Sequence, residues 1–114
     1  MTVLPMSNAH KDHQKIFRYL GIGPNYLGYV YLTAALDLIT SDLTYLQAVT
    51  TRLYPAIGRL YAVTPYAVER DIRTIIDICW REGGRDRVSA VAGRPLKYKP
   101  SNGQFLAILA AMMV

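Results

Sequence analysis

The sequence has a single cysteine, Cys79, which excludes an internal disulfide and fits a reducing compartment. It also lacks a long apolar run. The longest, Phe105 to Val114, has ten residues, too few for a membrane span of about 20. No charged stretch followed by an apolar one marks a secretory leader, so a cytoplasmic, nucleoid-associated protein without membrane contact is expected. Metal ligands are scarce. His10 and His13 bracket Asp12, but no third or fourth ligand stands near, and a structural zinc site takes four. The pair is therefore expected to be solvated, with no metal bound. There is no Gly-rich phosphate loop, no nucleophile elbow and no obvious acid pair, so neither a cofactor nor an enzymatic activity is expected. Acidic residues number only eight, against thirteen Lys and Arg.

What is present is apolar surface and clustered positive charge. Of the 114 residues 52% are hydrophobic, enough for one domain with a real core and far from the composition of a disordered chain. Residues 1–8 carry no period and are expected to form a flexible arm ahead of a domain over 9–114. The net charge is +5, and the excess lies late. Arg81, Arg85, Arg87, Arg94, Lys97 and Lys99 face only Glu82 and Asp86 in the same stretch. A one-sided basic region suits an anionic partner, though a solvated face that keeps a protein soluble has the same composition.

No segment alternates with period two for long, and the expected fold is all-α. A first helix is expected from about Ala9 to Leu20, stopped by Gly21 and Gly23. Pro24 suits the first position of a second helix, whose apolar stripe is Leu27, Val30, Tyr31, Ala34 and Leu38. Ser41 and Asp42 are capping types before a third, with Leu46, Val49 and Leu53 inward. Pro55 opens a short fourth helix to about Tyr61. Thr64-Pro65 reads as N-cap and first residue of a fifth, spanning 65–82 before Gly83-Gly84. A basic loop follows, interrupted by a short helix around Arg87–Ala92. Ser101 and Gln104 form a capping box for the last helix. Nine tyrosines are many, and Tyr19, Tyr26, Tyr29 and Tyr31 near the second helix are expected at the core edge.

The stretch Ile57 to Ile72, IGRLYAVTPYAVERDI, has the spacing of a helix-turn-helix at about 55–82. Two short helices crossing steeply need a small residue where they approach, here Gly58 beside the apolar Ile57. The turn needs an apolar residue and an N-cap, here Val63 and Thr64. The second helix then needs apolar anchors, here Val68 and Ile72. Ala62 stands at the turn position that Gly often takes. At 100° per residue Val68, Ile72, Ile75, Ile76 and Cys79 share one face of the fifth helix, where Cys79 is a small buried hydrophobe. Tyr66, Glu69, Arg70, Arg73, Thr74, Asp77 and Arg81 share the other. The second helix of such a motif enters the major groove, and an arginine can donate two hydrogen bonds to guanine O6 and N7. An ordinary amphipathic helix with a solvated polar face would show the same pattern.

Longer motifs go further. GYVYL at Gly28–Leu32, LYP at Leu53–Pro55, VERDIR at Val68–Arg73, Trp80 and KPSNGQFLAIL at Lys99–Leu109 resemble the C-terminal DNA-binding effector domain of the sporulation initiation response regulator of endospore-forming bacteria. The resemblance covers roughly Leu20 to the C-terminus. It implies a six-helix fold and sequence-specific binding to promoter elements in double-stranded DNA. It also implies a homodimer lying head to tail on tandem sites, and contact with RNA polymerase or a sigma factor. Glu69, Arg70 and Arg73 match the family's recognition-helix residues. With Thr74 they are the expected base contacts, while Tyr66, Arg81, Arg85, Arg94, Lys97 and Lys99 are expected on the DNA backbone. The sequence starts at Met1 with a short arm, so a stand-alone protein without the family's phosphoacceptor receiver domain is expected. The loop from Gly93 to Lys99 looks shorter than the family's, and Pro65-Tyr66-Ala67 is bulkier at the helix entry. The rival reading is a protein–protein module that keeps the fold, has lost DNA binding and titrates a full-length regulator or its partners.

Overall fold

The computed structural model describes residues 13–113; the expected arm over 1–8, His10 and Asp12 lie outside them. The described residues are helical with no strand, so the chain is all-α. Five α-helices have both ends among the described residues, one fewer than the six expected: α1 Leu27–Ser41, α2 Tyr54–Tyr61, α3 Pro65–Cys79, α4 Arg85–Ala92 and α5 Asn102–Met113. The chain is also helical over 13–19, at the edge of the described residues. That segment stops where expected, at Gly21, whose φ of 78° is costless only without a Cβ.

The expected third helix is not an α-helix. Asp42 does cap, accepting from the Thr44 backbone N–H at 3.0 Å, but the turn it starts is a five-residue 3₁₀ piece, Leu43–Gln47. A wide π turn, Val49–Leu53, follows. Pro55 has no N–H to return to the Thr51 carbonyl, and just before it the chain uses a wider bond, from the Tyr54 N–H to the Val49 carbonyl. Arg52 ties the two pieces together, donating to Thr44 Oγ1 at 2.9 Å and lying 4.5 Å over the Tyr45 ring.

Helix α1 differs from expectation in start and in facing. It begins at Leu27, after a turn that contains Pro24. Leu27 and Val30, placed on the inward stripe, are 69% and 42% exposed, while Leu32, Ala35, Leu36 and Ile39 are fully buried. Helix α1 is apolar almost all round, so its periodicity pointed in no single direction; packing against both α3 and α5 selects the face. Gly28 makes the α3 contact possible, because a Cβ there would lie 2.3 Å from the Asp71 carbonyl oxygen.

His13 is also corrected: it is 1% exposed, with Nδ1 3.6 Å from an Asp37 carboxylate oxygen and its ring stacked near Phe17. Tyr19 is half exposed, whereas Tyr26 and Tyr29 edge the core and Tyr31 is buried within it. The capping box forms as expected: Ser101 N–H donates to Gln104 Oε1 at 2.9 Å, and Gln104 N–H to Ser101 Oγ at 3.2 Å. Phe105, Leu106 and Leu109 of α5 meet Leu32 and Leu36 of α1 and Ile72 of α3 in one core. At about 25 cal/mol per Å² of apolar area, each such side chain contributes about 2 kcal/mol on burial. No helix among the described residues is long and apolar enough to cross a membrane.

Candidate nucleic-acid interface

Helices α2 and α3 form the helix-turn-helix. Helix α2 is capped by Ala62, the one described non-glycine residue with positive φ, 55°. The position that Gly often takes is therefore left-handed here too, with an alanine bearing the strain. The Val63 N–H returns to the Gly58 carbonyl at 3.0 Å. A Cβ on Gly58 would lie 2.6 Å from the Val63 carbonyl oxygen, so the close approach does require a glycine. Thr64 Oγ1 accepts from the Ala67 N–H at 3.0 Å, and Pro65 takes the first helical position. This cap satisfies one orphan N–H and sets the entry angle of α3.

Helix α3 is shorter than the 65–82 expected. It ends at Cys79, and a wide turn over Trp80–Gly84 breaks the helical path at Glu82 and Gly83. Gly84 packs so closely on the Cys79 carbonyl that a Cβ would reach 1.9 Å. Arg81 thus leaves the recognition helix for the turn. The inward face is as expected: Val68, Ile72, Ile75, Ile76 and Cys79 are all buried. The Cys79 thiol lies 3.4 Å from the Leu20 carbonyl oxygen. Burial pushes its pKa up, only partly opposed by the Arg87 charge.

The outward face presents Tyr66, Arg70, Arg73 and Thr74, all exposed. Arg73 Nη1 donates to both oxygens of Glu69 at 2.9 Å, one helical turn back. Arg70 Nε donates to Asp71 at 3.2 Å, which raises its pKa further, and its guanidinium lies 5.8 Å from the Tyr66 ring centroid. Thr74 Oγ1 donates back to the Arg70 carbonyl at 3.0 Å. Lys99, 22 residues on, forms a close ion pair with Asp77 of α3. Arg81 Nε reaches the Asp77 carbonyl at 3.4 Å.

Two residues that the sequence reading gave no role at the site organise this surface. Asp77 holds Lys99. Asn102, at the start of α5, donates from Nδ2 to Tyr54 Oη at 3.0 Å and to the Glu69 carbonyl at 3.1 Å, fastening α2, α3 and α5 at the level of the arginines. Tyr54 is buried, and that burial raises its pKa against the opposing Asn102 hydrogen bond. The result is an open groove of about 450 Å³ bordered by Tyr54, Glu69, Arg73, Asp77, Lys99 and Asn102.

The six expected backbone contacts do not form one cluster. Tyr66, Arg81 and Lys99 border the outward face of α3. Arg85 instead donates to the Leu96 carbonyl at 3.1 Å, bracing the basic loop. Arg94 lines a groove between α4 and α5 with Val91, Gln104 and Ala107, and Lys97 is exposed in the loop. No group of three or more metal-ligand side chains occurs among the described residues.

The family described as sporulation initiation factor Spo0A C terminal matches residues 13–113. The chain belongs to this family. It is a family of DNA-binding effector domains of sporulation transcription regulators, and the match spans the helix-turn-helix and all five bounded helices of this chain. The resemblance carried by GYVYL, LYP, VERDIR and KPSNGQFLAIL therefore extends further toward the N-terminus than its motifs do.

Proposed function

We propose that this chain is a sequence-specific regulator of transcription that binds double-stranded DNA at promoters of sporulation-type genes. The observation that carries the reading is the pair Arg70 and Arg73, exposed together on the outward face of a capped recognition helix in a domain of this family. Such a helix fits the major groove, where its early outward side chains meet base edges. Arg70 and Arg73 suit guanine O6 and N7, and Glu69 suits the amino group of cytosine. Thr74, now donating to a backbone carbonyl, is the weakest of the four as a base contact. Tyr66, Arg81 and Lys99 flank the helix and suit phosphates on either side. Arg85, Arg94 and Lys97 suit phosphates further along the duplex, and two copies on tandem sites would give that longer footprint. Contact with RNA polymerase or a sigma factor follows from the same role, as does a place on the nucleoid.

The test is fluorescence anisotropy with a duplex of the family's promoter type and a scrambled duplex, over a range of salt. Each phosphate neutralised adds about −0.9 to the slope of log K against log salt. Cognate binding with a steep slope is the expected result. Binding to neither duplex, or a flat response to salt, overturns the reading. The same fold would then serve as a protein–protein module.

A further inference from the structure

We infer that Asn102 is a positioning residue for sequence reading: from α5 it fixes the depth and rotation of the turn of α3 that carries Glu69, Arg70 and Arg73. The inference rests on the DNA-binding reading above. Asn102 Nδ2 donates to the Glu69 carbonyl at 3.1 Å and to Tyr54 Oη at 3.0 Å. An amide nitrogen carries two hydrogens, one for each acceptor, and a carbonyl can only accept, so the nitrogen and not the oxygen of the amide faces α3. The Glu69 carbonyl also takes the N–H of Arg73 in the helical ladder. The bond therefore grips the backbone of α3 between Glu69 and Arg70, at the turn that ends on Arg73. Among the described residues, the other hydrogen bonds that reach α3 from a distant segment lie at its far end, from Lys99 to the Asp77 side chain and from the Cys79 thiol to the Leu20 carbonyl.

The buried face, Val68, Ile72, Ile75, Ile76 and Cys79, decides which side of α3 turns inward. Apolar contact is non-directional, so that face alone tolerates a small slide or roll of the helix. A hydrogen bond to the backbone has a direction and resists both. Its donor is itself held, because Tyr54 is 4% exposed and opens α2. The start of α5 is already capped by Ser101 and Gln104, so the amide is not needed there. Base contacts require the arginines to be placed to within about 0.5 Å, whereas phosphate contacts on a scrambled duplex carry no sequence information and tolerate a looser helix. Holding this turn in the free protein removes an ordering cost that only sequence reading would otherwise bear. Asn102 thus acts on specific affinity through Glu69, Arg70 and Arg73, with no DNA contact of its own.

The test uses the whole chain with the cognate and scrambled duplexes, read by fluorescence anisotropy well below Tm. Asn102→Leu keeps the approximate shape of the side chain and adds no charge, but has nothing to donate; Asn102→Ala removes the amide outright. Each should weaken cognate binding about three- to tenfold, the size of one part-buried hydrogen bond, and leave scrambled binding within about twofold. The salt slope should not change on either duplex, because no phosphate contact is lost. Tyr54→Phe keeps the bond to Glu69 and should narrow the cognate-to-scrambled ratio less. Val88→Ala, at a buried position of α4, is the stability control: it should lower Tm and leave the ratio alone. Asn102 variants that lower Tm but keep the ratio mark a merely structural residue and overturn the inference, as does an equal loss on both duplexes. A slope flatter by about 0.9 makes Asn102 a phosphate contact and overturns it too. If Val88→Ala narrows the ratio as much as Asn102→Ala does, lost stability is the cause and the inference fails. If the unmutated chain binds neither duplex, the functional reading itself has failed.

Discussion

Gly58→Ala adds one methyl group where α2 meets the turn, and the structure says what it meets. The new Cβ would stand 2.6 Å from the Val63 carbonyl oxygen and 3.5 Å from the Pro65 nitrogen. An unstrained carbon–oxygen contact needs about 3.3 Å, so the turn must shift by several tenths of an ångström, at an overpacking cost of about 1–3 kcal/mol. It cannot shift freely, because the Gly58 carbonyl accepts from the Val63 N–H at 3.0 Å and Ile57, Val68 and Ile72 around it are fully buried. Against that cost, alanine gains about 1 kcal/mol over glycine inside a helix. A clash against fixed backbone falls in the upper part of that range, about 2–3 kcal/mol, so the net expectation is a loss of about 1–2 kcal/mol, or a Tm lower by roughly 4–8 °C at about 4 °C per kcal/mol. Circular dichroism melting measures it. Gly103→Ala is the control: it lies in α5 with nothing within 4 Å of its Cβ, so it should leave Tm unchanged or raise it slightly. The displaced turn also carries the cap of α3, so the cognate-to-scrambled affinity ratio should narrow in Gly58→Ala. An unchanged or raised Tm would refute the reasoning, since the steep crossing would then not depend on a missing Cβ.

Gly28→Ala should destabilise at least as much, because its Cβ would lie 2.3 Å from the Asp71 carbonyl oxygen and 2.8 Å from Ile75 Cδ1; chemical denaturation should show a lower midpoint. Cys79 should resist thiol reagents until the domain unfolds, and rapid labelling of the native chain would mean that α3 is rotated from its described facing. Its raised pKa also has a pH consequence. The stabilisation from keeping the thiol neutral is fully present below the ordinary value of 9.0 and is lost as pH rises through the higher folded value. Melting temperatures above pH 9.0 should therefore fall less steeply in Cys79→Ala than in the parent chain. Arg73→Ala should cost cognate binding about 1–3 kcal/mol, with little change on scrambled DNA. Arg94→Ala should weaken both duplexes alike and flatten the salt slope by about one contact. If Arg73→Ala weakens both duplexes equally, Arg73 holds a phosphate and not a base.

Where the chain carried local chemistry, the sequence was enough. Thr64-Pro65 and Ser101-x-x-Gln104 name caps whose hydrogen bonds lie within four residues, and both caps are present. The facing of α3 was equally plain, because charged residues fill its outer side and leave only one buried arrangement. Helix α1 had no such contrast. Its side chains are apolar on every side, and which of them are buried depends on where α3 and α5 cross it, a long-range fact. The segment 43–53 departs for another reason: each residue is compatible with a helix, but Ala48, at φ −146° and ψ 51°, breaks the helical path between a 3₁₀ piece and a π turn, and only the π turn lies within reach of the N–H that Pro55 lacks. The end of α3 was misplaced because its polar periodicity continues through Arg81, while the close approach of Gly84 to the Cys79 carbonyl turns the chain earlier.

The candidate site divides along the same line. Arg70 and Arg73 are neighbours because a helix places residues three apart on one face, so their exposure followed from spacing alone. The basic residues after α3 carry no such rule. Their number suits an anionic partner, but their usefulness depends on which neighbours already hold them, and a composition does not record that. Lys99 is held by Asp77, Arg85 by the Leu96 carbonyl, and Arg81 by the Asp77 carbonyl. A count of positive charges therefore does not say which of them are free to grip a phosphate, although the two held by carbonyls keep their full charge. If the chain binds DNA as proposed, each of these side chains must leave its internal partner before it grips a phosphate, which lowers what the contact contributes. On the proposed reading that cost falls on every sequence to which the domain binds, so discrimination rests on what Arg70 and Arg73 gain from base edges and not on the basic residues around them.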